Sequence, residues 1–196
     1  MIVAALAGLA AGFFHALSGP DHLAAVAPLA AGGDRAAWRS GFTWGAGHTA
    51  GVLVVGLLLL VFRELLPVEA LSAWSERLVG AALVGVGIWG LWKARQAHAH
   101  HHAAAGVSFG MGTLHGLAGS SHLFGVLPTL AFDSRLAGSA YLAGFGVGAM
   151  LAMTGFAAAI GLIVPGAGES APAVRRALLY ASSMAAVAIG GAWLLA

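Results

Sequence analysis

The stretch His15-Ala-Leu-Ser-Gly-Pro-Asp-His22 places two histidines and an aspartate between runs made almost wholly of Ala, Leu, Val, Phe, Ile and Gly. Pro20 has no backbone N–H, and its ring collides with the carbonyl of Ala16. A helix entering at Met1 is therefore predicted to break at Gly19-Pro20, with a second, shorter helix starting there. The break gathers polar side chains at one point of an otherwise apolar segment.

The composition gives that point its setting. Of 196 residues, 60% are hydrophobic and 8% charged, with a mean hydropathy of +0.90, whereas soluble domains carry roughly a quarter charged residues. Apolar runs of about 20 residues cross a hydrocarbon core of about 30 Å. Six such crossings are predicted, giving an all-α polytopic membrane protein: 1–32 with its break, Trp38 to Phe62, Leu71 to Trp92, Ala103 to Phe132 with a second break, Leu136 to Val164, and Ala173 to Ala196. The connecting loops are too short to hold a soluble catalytic domain. Nine basic against seven acidic residues is too small an excess for a nucleic-acid surface. With no cysteine, disulfides and thiolate metal sites are excluded. The N-terminus lacks the charged region of a cleavable signal peptide and is read as part of the mature chain.

The chain also repeats itself. Gly12 to Ala31 reads GFFHALSGPDHLAAVAPLAA, and one hundred residues later Gly112 to Ala131 reads GTLHGLAGSSHLFGVLPTLA. Gly12, His15, Leu17, Gly19, His22, Leu23, Val26, Pro28 and Ala31 all recur in the second copy. The likeness continues where Trp44-Gly45-Ala46-Gly47, with Gly51, faces Tyr141-Leu142-Ala143-Gly144, with Gly148. Residues 1–95 and 103–196 are thus predicted to be two three-helix repeats joined by a histidine-rich loop, 96–102. Because three is odd, the second repeat enters from the opposite side, an inverted arrangement used by transporters. Arg35, Arg39, Lys93, Arg95, Arg175 and Arg176 outnumber Arg63, Arg77 and Arg135, which predicts both termini outside and the histidine-rich loop in the cytoplasm of a bacterial plasma membrane. Gly8/Gly12, Gly41/Gly45, Gly47/Gly51 and Gly144/Gly148 form GxxxG faces for close helix packing. The same faces are candidates for homo-oligomer formation.

A buried Asp costs about 2.5 to 3.5 kcal/mol on insertion scales, so it requires a partner or a water-filled cavity. His15, Asp21, His22, His48, His115 and His122 are predicted within apolar spans or at their breaks. A lone intramembrane histidine is ordinarily a hydrogen-bonded helix contact, but two copies of H-x-L-x-G-x-x-H at helix breaks point to a metal or proton pathway. Carbonyls released between His15 and Ser18 favour a cation, and Asp21 supplies the compensating charge. Imidazole and carboxylate together suit Ni, Co, Zn or Fe better than Mg or Ca. The second copy carries Ser120-Ser121 where the first has Pro20-Asp21, so the halves are predicted to be inequivalent.

HALSGPDHLAAVAPLA at 15–30, WGAGHTAGVLVVG at 44–56 and SRLAGSAYLAGFGVG at 134–148 resemble the nickel/cobalt permease superfamily, the NiCoT and NicO proteins with their urease-associated relatives. The H-x-x-x-G-x-D-H stretch is similar also to six-span permeases linked to hydrogenase and urease. That family associates a His-x4-Asp-His motif with metal recognition, which implies the same role for His15, Asp21 and His22. Here the spacing is one residue longer.

The reading that follows is a secondary transporter of a divalent transition metal, Ni²⁺ or Co²⁺, with no catalytic residue and no prosthetic group. The Walker pattern G-x4-G-K-[ST] does not occur, so transport would draw on an ion gradient, the membrane potential or protons; uptake and efflux both stay open. Two other classes compete: an intramembrane metal-dependent enzyme, for which the sequence offers no H-E-x-x-H, and a haem-binding membrane protein using histidines as axial ligands. His98, His100, His101 and His102 in the central loop read equally well as a weak metal-collecting tract or as a solvated linker.

Overall fold

The computed structural model describes residues 1–31, 36–62, 68–95, 105–117, 125, 127–132, 134–166 and 168–195. Among these the chain is wholly helical. Seven α-helices run in the order α1 (Ile2–Ser18), α2 (Pro20–Ala30), α3 (Trp38–Phe62), α4 (Val68–Arg95), α5 (Ala105–Leu117), α6 (Arg135–Gly166) and α7 (Ala171–Leu195), with short 3-10 turns at Leu127–Ala131 and Gly168–Ser170.

The predicted break is where proline chemistry puts it. α1 stops at Ser18, Gly19 is extended, and α2 starts on Pro20, bent 72° from α1. The carbonyl of His15 is not released by the break: it accepts the Gly19 N–H at 3.0 Å. Ser18 Oγ donates to the Phe14 carbonyl at 2.6 Å. The carbonyl deprived of its helical donor by Pro20 is that of Ala16.

Four helices, α3, α4, α6 and α7, contain a segment long and apolar enough to cross a membrane, and the bent pair α1–α2 makes a fifth candidate. The sixth predicted crossing, Ala103 to Phe132, is represented by the 13-residue α5 and the turn at Leu127–Ala131; its predicted break falls outside the described residues. Large apolar side chains such as Phe14, Leu57, Leu162 and Met184 point outward, while Asp21, His22, His48 and His115 are buried. That inside-out distribution suits a lipid surround, where only the interior can satisfy polar groups.

All four GxxxG faces are used within the chain. A Cβ on Gly8 or Gly12 would strike the backbone of Tyr141 or Phe145, and one on Gly144 or Gly148 that of Ala5 or Leu9, so α1 and α6 run parallel in close contact. Gly47 and Gly51 approach Phe109 and Thr113 in the same way, while Gly112 and Gly116 approach Trp44 and His48, so α3 and α5 are also parallel. Gly41 and Gly45 instead meet Met153 and Met150, making α3 antiparallel to α6; Gly80 meets Gly190 and Gly87 meets Ser183, making α4 antiparallel to α7. These faces are therefore packed against the protein's own helices.

The packing corrects the repeat register by one helical turn. Gly12 lies on the Phe145 carbonyl and its counterpart Gly112 on the Trp44 carbonyl, so Trp44 corresponds to Phe145 and not to Tyr141. WGAGH at 44–48 then faces FGVGA at 145–149.

Candidate metal centre

The break aims the first turn of α2 inward. Asp21 and His22 occupy that turn, 4% and 1% exposed. A Cβ at position 19 would overlap His22 Nδ1 and Asp21 Oδ1, so any larger residue there would displace both side chains. The N-terminal end of α2 favours a carboxylate electrostatically, which lowers the cost of placing Asp21 at this depth.

Asp21 is a bridge. Its Oδ1 accepts from His22 Nδ1 at 3.1 Å, and its Oδ2 accepts from His115 Nε2 at 3.0 Å. One carboxylate thus ties the first half of the chain to the second and fixes two imidazole planes. His15, from the last turn of α1, lies 4.7 Å from His22 between ring centroids. His48, fully buried on α3, is 5.0 Å from His22 and 5.9 Å from His115. The close contact of α3 with α5, permitted by Gly47 and Gly112, brings the last two rings together.

Two sets of three side chains hold ligand atoms within 4.8 Å of one another: His15, His22 and His48, and Asp21, His22 and His115. His22 belongs to both. Five of the six side chains picked out in the sequence therefore converge. His122 lies outside the described residues, as do His98, His100, His101 and His102. Within the cluster, Asp21 supplies charge and orients imidazoles, while His15 and His48 face His22 from two other helices. Nitrogen-rich with one carboxylate, the set is of the chemical type that suits borderline divalent ions.

Sequence reasoning missed the aromatic wall. Trp44 is fully buried and stacks on His48, with ring centroids 5.2 Å apart and planes at 11°. It also lies 5.7 Å from His22 and 5.3 Å from His115. The available signal was its place four residues before His48 on one helix face. Phe145 packs on His15 at 5.3 Å, and Trp193 closes the side near His115 at 6.5 Å.

The fold and the cluster define an all-helical, membrane-type protein built round a buried His/Asp centre. Its relatives give the family. The chain is 31% identical over 178 residues to urease accessory protein UreH of Bacillus sp. (strain TB-90), covering 79% of this chain and 75% of that one, and it belongs to the same family. It is also 36% identical over 212 residues to Chloroplast protein FOR GROWTH AND FERTILITY 1 of Arabidopsis thaliana, and 34% identical over 207 residues to Chloroplast protein FOR GROWTH AND FERTILITY 2 of the same plant. Those alignments take in 96% and 97% of this chain but 58% and 55% of the plant proteins, so the chain spans little more than half their length. No family model matches the chain, and no solved structure matches it.

Proposed function

We propose that this protein is a secondary permease for a divalent transition metal, Ni²⁺ or Co²⁺, and that it carries the ion through the buried His/Asp cluster. One observation carries the reading: five polar side chains from four helices, α1, α2, α3 and α5, meet inside an apolar helical protein as two overlapping ligand sets that share His22. A hydrogen-bonded structural network needs no such overlap. A relative named for urease accessory function agrees with a nickel cargo, as does the sequence resemblance to nickel/cobalt permeases.

In this reading the chain forms six spans as two inverted three-helix repeats, lying in a bacterial plasma membrane with both termini outside. Support comes from the helix senses: α1 and α5 run in opposite directions, as do α3 and α6, and α4 and α7. The cluster then sits at the repeat interface, where inverted-repeat transporters bind their cargo. The ion exchanges water for imidazole and carboxylate, and Asp21 offsets its charge in a medium where uncompensated charge is costly.

The test is flux. Purified protein reconstituted into liposomes loaded with a metal-sensitive dye is expected to equilibrate Ni²⁺ and Co²⁺ faster than Mg²⁺ or Ca²⁺. Fluxes equal to those of protein-free liposomes for all the transition metals would overturn the proposal.

A further inference from the structure

We infer that Trp44 contacts the cargo through water: its indole N–H donates a hydrogen bond to a water that the bound ion keeps. The inference rests on the metal reading above and adds a ligand-shell partner that neither ligand set contains. Trp44 is 0% exposed, and its Nε1 has no hydrogen-bond partner among the described residues. A buried donor left without an acceptor is costly, so its retention calls for an acceptor other than the described protein groups. The indole ring lies 5.2, 5.7 and 5.3 Å, between centroids, from the rings of His48, His22 and His115, which puts it beside whatever these imidazoles hold.

Packing alone does not require an indole. The corresponding residue of the second half, Phe145, fills the same kind of place: it lies 5.3 Å from His15, just as Trp44 lies 5.3 Å from His115. Phe145 has no N–H, and beside it in sequence Ala149 stands where the first half has His48. The donor and the additional imidazole therefore occur together, one turn apart on α3. Each ligand set offers three atoms, whereas Co²⁺ and Ni²⁺ take about four to six ligands. The remaining positions fall to water, and a water oxygen bound to the ion is the acceptor the indole lacks.

The experiment titrates detergent-purified protein with Co²⁺ and follows both affinity and the visible absorption of the bound ion, which reports its ligand geometry. Trp44→Phe keeps the stack on His48 and removes only the donor. It is expected to bind Co²⁺ about tenfold more weakly, the scale of one hydrogen bond to an ion-bound group, with an altered visible band. Trp92→Phe, on an exposed face of α4 away from the cluster, is expected to match wild type. Should Trp44→Phe not fold, ¹⁵N-indole spectra of the wild-type protein decide: one of its six tryptophan N–H signals is expected to move downfield when Zn²⁺ is added. Unchanged Co²⁺ affinity and band in a folded Trp44→Phe, or six unmoved indole signals, would overturn the assignment while leaving the metal site standing. Wild-type protein that binds no Co²⁺ would overturn the metal reading itself.

Discussion

Trp44 in the first half of the chain and Phe145 in the second occupy corresponding places, each buried, Trp44 seated against His115 and Phe145 against His15. Around them the halves diverge. Asp21 and His48 belong to the first half, and the equivalent positions carry Ser121 and Ala149. The scaffold of small residues is repeated, while the charge and the extra imidazole are not. In the proposed reading, a duplicated frame supplies two-fold geometry and leaves only one copy to carry the chemistry.

If that asymmetry is real, the largest effect belongs to Asp21→Asn. Asparagine can accept from one imidazole but turns its NH₂ toward the other, and it removes the only carboxylate in the cluster among the described residues. Co²⁺ affinity is expected to fall about a hundredfold or more, with flux lost, in calorimetry and liposome assays. Next comes a paired comparison. His22→Ala removes a member of both ligand sets and His115→Ala a member of one, so losses of about a hundredfold and about tenfold are expected. Equal losses would erase the distinction between the halves.

Pro20→Ala has a smaller effect. It returns to the Ala16 carbonyl the N–H that proline withholds, drawing α2 toward the line of α1 and swinging Asp21 and His22 off their partners. A drop in Co²⁺ affinity of about tenfold is expected, with the protein still inserted. Unchanged affinity would mean that the extended backbone at Gly19 sets the bend unaided. Phe145→Leu is expected to be mildest, about twofold, because it removes only an apolar wall from His15.

Much of this was legible in the sequence. The break follows from one residue without an N–H, and α3 begins at Trp38 and ends at Phe62, as the apolar run did. His15, Asp21, His22, His48 and His115 stood out because polar groups in apolar spans need a reason. The register of the second repeated helix was not legible. Glycines spaced four apart look alike after a shift of one turn, so matching Gly47/Gly51 to Gly144/Gly148 is degenerate, and only the carbonyls under Gly12 and Gly112 resolve it. The role of Asp21 was half legible. Its charge could be read, but its span from His22 to His115 depends on how α2 and α5 pack across 94 residues of sequence. Trp44 was hidden for the opposite reason: a tryptophan in an apolar helix is ordinary until its neighbours are seen to be imidazoles.

The most direct test of the central claim is anomalous scattering at the cobalt edge from crystals of the protein grown with Co²⁺. The account predicts a peak inside the cluster, about 2.0 to 2.2 Å from an imidazole nitrogen of His22, with Asp21 either ligating or hydrogen-bonded to its ligands. Cobalt bound elsewhere, with no peak among His15, Asp21, His22, His48 and His115, would contradict it.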